Sequence, residues 1–329
     1  MRQSLPITRR ASAETKYRKE FYRLMKISVV LRVKDEGRTL DQVLNGVRRQ
    51  PFTGELEFVV VDSGSTDRTL EIARAHNCRI VQIRPEDFSW GYALNFGAEH
   101  STGDIVIFLS GHCVPVDENW LAALLAPLDD PQVAGVYSRH VPIPGVDPFE
   151  AIELEYLWFP AGDGRPRESL SFSDASCAIR RTIWDKIKFD ETLLLCEDGE
   201  WAMRVRKAGG KIIYNPVSMV FHSHPLKLET IYFRWFTRCY SAKQFDRRTR
   251  DGQPLYLVYK TLLFSFLDLR YLLREGMWGK VWKIPFYEMV RQGAGYQGAR
   301  AALRGDPIAK LSSVTMPPYF NRLRSLLES

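Results

Sequence analysis

The feature that most restricts the fold is an alternation of short apolar runs with helical patterns between residues 27 and 127. The apolar runs lie at residues 27–31, 56–61, 79–83 and 105–109. Short, predominantly apolar runs of this kind are typical of strands that are covered on both faces. We therefore predict right-handed β-α-β units in a mostly parallel sheet, with ligands bound at the carboxyl ends of the strands.

Charge divides the chain into three regions. Residues 1–26 contain 8 basic and 2 acidic residues, residues 27–227 contain 21 and 29, and residues 228–329 contain 17 and 8. Basic ends suit an anionic membrane surface or a phosphate-bearing substrate, and solvated surface charge is the plain alternative. Nucleic-acid binding is not expected, because it would more often place the excess on one domain face. The predicted organisation is a basic leader at 1–26, an α/β domain at 27–225 and a helical basic and aromatic region at 226–329.

The cysteines and the N-terminus indicate the compartment. The five cysteines are scattered and form no C-x-x-C pair, which argues against a disulfide framework and a thiolate zinc site and favours a reducing cytosol. Charged residues occupy the N-terminus where a signal peptide would be apolar. No run reaches the roughly 20 apolar residues of a spanning helix. We predict a cytoplasmic protein that can bind peripherally to the cytosolic face of the inner membrane.

The turns after the first two predicted strands narrow the chemistry. Arg32–Gly37 stands where a dinucleotide-binding protein would carry G-x-G-x-x-G, and no G-x-x-x-x-G-K-[ST] occurs. Dinucleotide and P-loop chemistry are therefore disfavoured. Asp62 ends the second strand and opens a turn cluster, so it either caps the next helix or accepts a hydrogen bond from a nucleobase or ribose.

Several segments resemble family 2 glycosyltransferases, which have the nucleotide-diphosphosugar-binding α/β fold called GT-A. The most specific is Val59–Asp67, with its Asp-Ser-Gly-Ser-Thr-Asp core, preceded by Ser28–Glu36. The resemblance continues at Gly91–Gly97, Gly103–Leu109, Phe172–Arg181 and Glu197–Trp201. Ser110–Pro115 and Phe221–His224 are most similar to bacterial rhamnosyltransferase-type members.

The resemblance implies a GT-A sheet with a helical C-terminal extension and assigns residues to the donor site. The implied nucleotide-binding residues are Arg32, Val33, Glu36, Asp62, Ser63, Asn95 and Ser110. The implied acceptor or sugar pocket contains Asp174, Glu197 and Trp201. The expected reaction is inverting transfer of a sugar from a nucleotide-diphosphosugar to a saccharide or lipid-linked saccharide in surface polysaccharide biosynthesis. The subfamily likeness adds dTDP-rhamnose as the donor.

The turn after Leu109 departs from the family in a way that affects the metal. Most members carry D-x-D there, and this chain has Ser110-Gly111-His112. Imidazole suits transition metals better than Mg²⁺, so His112 can bind Mn²⁺ or hydrogen-bond a phosphate directly. The resemblance also implies a late histidine ligand, at His222. We expect a divalent cation, Mn²⁺ or Mg²⁺, although a structural role for both histidines is the alternative.

An acidic pair precedes a predicted helix at Glu200–Ala208. Glu197 and Asp198 would complement the helix macrodipole, which is the plain interpretation. Inverting transfer also needs a carboxylate that takes the proton from the acceptor hydroxyl, and such bases typically supply about 10²–10⁴-fold. The resemblance places this base at Asp198.

The stretch 228–291 combines aromatic with basic residues. It suits an interfacial helix on an anionic membrane or an amphipathic helical subdomain. Two other functions stay open. The missing D-x-D would fit a non-catalytic sugar-nucleotide-binding protein. A nucleotidyltransferase shares the same sheet, but it would need a glycine-rich basic turn that Arg32–Gly37 does not supply.

Overall fold

A computed structural model of the chain describes residues 25–193, 195–224 and 227–306. Most of the predicted leader, the predicted boundary at residue 225 and residues 307–329 lie outside these ranges. The described residues form two compact units. Unit 1 comprises the residues up to Arg139, Gly162–Phe189 and Trp201–Phe221; unit 2 comprises His140–Ala161, Asp190–Glu200 and the residues from His222 on.

The elements follow the predicted alternation through residue 127. The strands are β1 (Lys26–Val33), β2 (Glu55–Asp62), β3 (Arg79–Gln82), β4 (Ile105–Ser110), β5 (Val114–Pro115), β6 (Val133–Val141), β7 (Arg167–Glu168), β8 (Ser176–Arg180) and β9 (Lys211–Phe221). The α-helices are α1 (Leu40–Arg48), α2 (Thr69–Ala75), α3 (Trp90–Glu99), α4 (Trp120–Leu125), α5 (Pro148–Ile152), α6 (Arg181–Trp184), α7 (Glu197–Lys207), α8 (Leu228–Phe245), α9 (Pro254–Arg274) and α10 (Ile284–Arg304). A π-helix follows α5 at Glu153–Trp158, and 3₁₀ turns lie at Pro85–Asp87, Ala126–Asp129 and Trp278–Lys283.

The strands form one mixed sheet with the order β3-β2-β1-β4-β8-β6-β9-β5, and β7 pairs with β9. β1 pairs in parallel with β2 and β4, and β2 pairs in parallel with β3, which confirms the prediction for residues 27–127. β8 pairs antiparallel with β4 and β6, so the later strands turn a parallel sheet into a mixed one.

β9 runs unbroken through Asn215 and Pro216. The Asn215 side chain donates to the Ala123 carbonyl at 2.6 Å and accepts from the Val217 amide at 3.2 Å. These bonds hold the segment extended across the proline, whose fixed φ a strand tolerates.

The strand order places a switch point beside β1. The chain moves from β1 outward to β2 and β3 and then returns to β4 on the other side of β1. Arg32 of β1 is in register with Ser110, and Val33 is in register with Asp62. The loops after β1 and β4 therefore diverge from one point on the carboxyl edge, which is where open α/β sheets bind ligands.

Helical periodicity fixes which helix face covers the sheet in unit 1. α1 buries Leu40, Val43, Leu44 and Val47, which lie on one face at the spacing of the α-helix. α3 begins at Ser89, whose hydroxyl accepts from the Tyr92 amide at 3.1 Å as an N-cap. These helices hold the strand ends that carry the polar loops.

Unit 2 is helical and is built on close contact between α8 and α10. Gly298 faces α8 so closely that a side chain there would overlap the Phe236 carbonyl oxygen. Trp235, Phe236 and Tyr240 are buried in this core. Trp235, Phe236 and Tyr240 therefore belong to a packed helical subdomain, and membrane contact by other residues of the stretch 228–291 stays a prediction.

Two further findings concern the whole described chain. Each helix within the described residues is too short or too polar to cross a bilayer. All five cysteines are free thiols, and Cys113, Cys177 and Cys239 are buried.

Candidate active site

The loop after β1 is joined to the loop after β2 by side-chain hydrogen bonds. Asp35 accepts from the Thr66 amide at 2.7 Å and from the Thr66 hydroxyl at 3.2 Å, and its own amide donates to the Ser65 hydroxyl at 2.9 Å. Asp35 has a left-handed backbone, with φ of 55°, which aspartate tolerates better than most residues. These contacts hold the loops after β1 and β2 together. We call the polar loops after β1, β2 and β4 the rim of the sheet.

Asp67 adds further hydrogen bonds between the loops after β1 and β2. Its carboxylate accepts from the Gly37 amide at 2.9 Å, from the Thr69 amide at 2.9 Å and from the Thr69 hydroxyl. The Thr69 hydroxyl also accepts from the Glu36 amide at 2.7 Å. Hydrogen bonds from Thr69 lower the pKa of Asp67 below its usual value, so the carboxylate that organises this loop is ionised.

Asp62 lies at the end of β2 with no exposed surface. Its carboxylate accepts from the Ser65 amide at 3.0 Å, the Gly64 amide at 3.3 Å and the Gln82 amide side chain at 3.0 Å. Burial alone would raise its pKa, but the hydrogen bonds from Ser65 and Gln82 lower it below the usual value. Asp62 thus shapes the turn, and contact with a nucleobase or ribose stays a prediction.

Glu36 and His112 form a pair that joins the loops after β1 and β4. Nδ1 of His112 lies 2.6 Å from the Glu36 carboxylate, and the other carboxylate oxygen accepts from the Thr39 hydroxyl at 3.1 Å. Because an ionised carboxylate can only accept, Nδ1 carries the proton and the lone pair of a neutral ring is at Nε2. The Thr39 hydroxyl also lies 3.0 Å from the Gly111 carbonyl.

Because Gly111 has no side chain, the loop after β4 can pass close to Val33 and Glu36. A Cβ at that position would lie 2.8 Å from a methyl of Val33 and 2.9 Å from Cγ of Glu36. The Gly111 amide donates to the Arg32 carbonyl at 3.1 Å, and Ser110 is buried at the strand end. The Ser110-Gly111-His112 triplet therefore brings a histidine to the switch point where most family members carry carboxylates.

Arg32 and Asp174 form a buried ion pair with 2.7 Å between nitrogen and oxygen. The guanidinium also lies over the ring of Trp90, 4.9 Å from its centre. The structure therefore brings two predicted site residues together, from the nucleotide and the sugar groups of the prediction. Trp90 was not predicted, and no local pattern distinguishes it from a core residue.

Three other predicted residues of unit 1 have structural partners. The Asn95 amide donates to the Phe189 carbonyl at 2.9 Å and accepts from the Trp184 indole at 3.1 Å. Trp201 is fully buried and stacks on Phe189, 5.4 Å between ring centres. The Ser63 hydroxyl donates to the Val33 carbonyl at 3.3 Å. These residues build the walls of unit 1, and direct ligand contact by them stays a prediction.

Glu197 and Asp198 belong to unit 2 and begin α7. Asp198 accepts from the Gly199 amide at 2.6 Å, and Glu197 is buried. Glu197, Asp198 and Glu200 share the first turn, and basic residues fill the last turn of the helix. The predicted macrodipole complement is therefore present, and a helix N-terminus of this kind stabilises the negative charge of Asp198.

His222 also belongs to unit 2. Its Nδ1 lies 2.9 Å from Nδ1 of His140, so one ring donates and the other accepts. The His140 ring stacks on Phe159 with 3.8 Å between centres, and the His224 ring lies 4.7 Å from that of His222. The His224 amide donates to buried Glu150 at 3.3 Å. The sequence predicted His222 but not its partner His140.

The donor chemistry of His112 fits a transition-metal cation. A carboxylate behind Nδ1 fixes the ring and leaves Nε2 as the ligand atom, which is the usual arrangement behind metal-binding histidines. Imidazole at the place of a carboxylate suits Mn²⁺ better than Mg²⁺.

A mixed sheet with polar loops at the β1/β4 switch point is the architecture of the GT-A fold. The fold agrees with a mannosyltransferase from Pyrobaculum calidifontis, solved with GDP-mannose and Mn²⁺. That structure is 17% identical, has a TM-score of 0.57, and the match covers 90% of this chain and 96% of that one.

The chain is a glycosyltransferase, and its residues 28–187 match the model of glycosyl transferase family 2. The predicted fold class and the resemblance to this family are thereby confirmed. Asp198 and His222 lie beyond the matched residues.

The chain is also similar to two curated O-antigen chain rhamnosyltransferases. The O-antigen chain rhamnosyltransferase RfbN of Salmonella typhimurium is 25% identical over 223 residues, which cover 64% of this chain and 71% of that protein. The O-antigen chain rhamnosyltransferase WbaN of Salmonella anatum is 27% identical over 190 residues, which cover 55% of this chain. The chain spans 60% of the length of WbaN, less than two thirds.

Proposed function

We propose that the protein is an inverting glycosyltransferase that moves a sugar, rhamnose from dTDP-rhamnose, to a saccharide or lipid-linked saccharide acceptor of a surface polysaccharide. Two relatives named O-antigen chain rhamnosyltransferases support the donor and the acceptor class. The family match favours this proposal over a nucleotidyltransferase or a non-catalytic sugar-nucleotide-binding protein.

The observation that carries the proposal is the rim that joins the carboxyl ends of β1, β2 and β4. Asp35 and Asp67 fix the first two loops to one another, and the pair of Glu36 and His112 fixes the third. A rim organised before the ligand arrives lowers the entropy that binding costs. Its backbone and polar side chains suit a nucleoside diphosphate at the switch point.

Asp198 is the proposed general base. The acceptor hydroxyl oxygen would form a bond to the anomeric carbon while the bond from that carbon to the diphosphate oxygen breaks and its electron pair leaves with the diphosphate. The hydroxyl proton would go to a carboxylate oxygen of Asp198. Asp198 lies in the first turn of α7, where the helix macrodipole favours negative charge.

A divalent cation, Mn²⁺ in the first place, is the proposed cofactor. His112 would hold it through Nε2, with Glu36 fixing the ring. His222 remains a second proposed ligand, argued from the family resemblance alone. When bound, the cation would neutralise charge on the departing diphosphate.

The test of the reaction is a donor panel with the purified full chain. dTDP-rhamnose, UDP-glucose and GDP-mannose are offered with a lipid-linked acceptor, and release of nucleoside diphosphate and the anomeric configuration of the product are measured. We expect transfer from dTDP-rhamnose with inversion. Retention of configuration, or transfer from the other donors only, would contradict the proposal.

Asp198→Asn tests the base. We expect kcat to fall by about 10²–10⁴-fold, while the KM for the donor changes little. Asp163→Asn, at an exposed loop carboxylate of unit 1, is the matched control and should keep native kcat. A native rate for Asp198→Asn would end the assignment.

Calorimetric titration with Mn²⁺ tests the cofactor. His112→Ala should weaken binding by more than about tenfold, since the proposed site loses a ligand. His222→Ala is measured separately, and His100→Ala is the control histidine. Equal Mn²⁺ affinity in native protein and His112→Ala would remove the metal site.

A further inference from the structure

The side chains of α9 are distributed in the reverse of the pattern that is usual for a surface helix. In a surface helix the outward side is polar and the inward side is apolar. Here, successive outward positions over three turns are apolar and exposed, and we call them the α9 face. They are Leu255, Val258, Tyr259, Leu262, Leu263 and Phe266. Leu262 is 67% exposed and Phe266 is 59% exposed.

Two charged residues of α9, Lys260 and Asp268, point into unit 2. Lys260 pairs with Asp251 at 3.0 Å, and its ammonium lies 5.2 Å from the ring centre of Trp235. Asp268 is buried and pairs with Arg291 at 2.5 Å. These two charged side chains therefore attach α9 to the rest of unit 2, and the apolar side of the helix faces outward.

The C-terminal end of the α9 face continues into an aromatic and basic turn. Trp278 is 68% exposed, and Met277 and Trp282 are exposed beside it. The neighbouring sequence contains Arg270, Arg274, Lys280 and Lys283 and one acid, Glu275, which pairs with Arg274. Tryptophan with lysine and arginine beside an apolar face is the composition of helices that lie in the headgroup region of a bilayer.

We propose that the α9 face and the turn at Trp278–Lys283 dock the protein onto an anionic lipid bilayer. The helix would lie in the membrane plane, with the six apolar side chains in the acyl boundary and the basic turn at the headgroups. It would not span, because no described helix is long and apolar enough to do so.

Charge decides between a bilayer and a second copy of the chain. A twofold interface would place this surface, with the cations beside it, against a second surface of the same net positive charge. Such like-charge contact opposes association, whereas an anionic leaflet attracts each of these cations. The docking surface therefore favours lipid as its occupant.

This inference depends on the proposed function only for the biological purpose of membrane binding, which is to bring the protein to a lipid-linked acceptor. Its test is flotation of the full chain with vesicles of phosphatidylcholine alone or mixed with phosphatidylglycerol. We expect binding to the anionic vesicles only, and Leu262→Glu with Phe266→Glu should reduce partitioning by at least about tenfold. Lys280→Glu with Lys283→Glu should reduce it as well, and should make it less sensitive to salt.

Leu170→Glu is the matched control, because Leu170 is 82% exposed in unit 1 and lies outside the docking surface. It should float as the native chain does. Turnover of a water-soluble acceptor should be native in the α9 variant, whereas transfer to acceptor embedded in vesicles should fall. Failure of the proposed transferase reaction would leave the flotation result intact.

Two outcomes would overturn the proposal. One is native flotation of the Leu262→Glu and Phe266→Glu variant, with a native circular dichroism spectrum. The other is a native dimer by light scattering that this variant splits, with no vesicle binding in either form, which would assign the surface to a second copy.

Discussion

Asp62 and Asp67 of unit 1 are held by hydrogen-bond donors, whereas Asp268 and Glu288 of unit 2 are buried around an arginine. Donors lower the pKa of Asp62 and Asp67 at the sheet rim. Burial raises the pKa of Asp268 and raises that of Glu288 to about 8. The same side-chain chemistry therefore gives permanent anions in one unit and a titratable pair in the other.

The difference follows from what each set of residues has to fix. The rim carboxylates organise loops at the surface, where backbone amides are available as donors and water is close. In unit 2, Arg291 contacts Glu153 at 3.3 Å, Asp268 at 2.5 Å and Glu288, and all four are buried. Ion pairs of this kind do little for net stability, but the loss of one partner leaves uncompensated charge in the core.

Arg291→Met should give the largest effect. It leaves Asp268, Glu288 and Glu153 without their shared cation, and breaking a buried pair typically costs about 3–5 kcal/mol. Urea denaturation of the full chain measures the loss, and hydrogen exchange should show it in α8 and α10 rather than in β1–β4. Arg300→Met, on the exposed side of the same helix, is the control. A loss no larger than that of the control would show that the network does not hold unit 2.

Glu288→Gln should remove a dependence of stability on pH. The native pKa of Glu288 is about 8 against an ordinary 4.5, because burial and Asp268 favour the protonated form. Between these values the native state binds a proton that the unfolded state has lost, so the free energy of unfolding falls by roughly 1.4 kcal/mol per pH unit as pH rises. Glutamine keeps a donor for Asp268 without titrating. We therefore expect a flatter curve over this range, measured by urea denaturation at several pH values, and an unchanged slope would place the proton elsewhere.

Local periodicity explains why much of unit 1 could be predicted. The strands β1–β4 and the helices between them depend on apolar spacing within about ten residues, which the sequence displays directly. Asp62 could be placed at the strand end for the same reason. The pairing of Glu36 with His112 could not, because the two residues lie 76 positions apart and meet only through the strand order.

Other residues were predicted at the site because the identity of a residue does not reveal which side of a helix it occupies. Asn95 and Trp201 each carry a polar group and lie in motifs of the family that the sequence resembles. Both use that group in a structural hydrogen bond. The outward apolar side of α9 was hidden for a related reason. Apolar residues at helical spacing indicate a core face, and only the pairing of Asp268 with Arg291, 23 positions away, shows that the helix is turned the other way.

Gly111→Ala tests how closely the rim of unit 1 is fitted. The added methyl would meet Val33 and Glu36 at 2.8 and 2.9 Å, so the loop after β4 has to shift. Overpacking of this kind costs about 1–3 kcal/mol, and displacement of Glu36 should also weaken Mn²⁺ binding. Gly279→Ala is the control, because no heavy atom lies within 4 Å of the added methyl. Native stability and native Mn²⁺ affinity in Gly111→Ala would mean that the Glu36–His112 pair does not need this close contact.

Asp35→Ala should give the smallest effect and separates the two contributions of this residue. Alanine removes the acceptor for Thr66 and is disfavoured at φ of 55°, which together should cost about 1–2 kcal/mol. Asp35→Asn keeps a carbonyl acceptor and tolerates the left-handed backbone, so its cost should stay below about 0.5 kcal/mol. Hydrogen exchange at the Thr66 amide reports the bond itself and should quicken in the alanine variant only. If the Thr66 amide exchanges equally fast in both variants, the negative charge of Asp35, rather than its geometry, joins the two loops. The contrast between the hydrogen-bonded carboxylates of the rim and the buried carboxylates of unit 2 would then depend on charge alone.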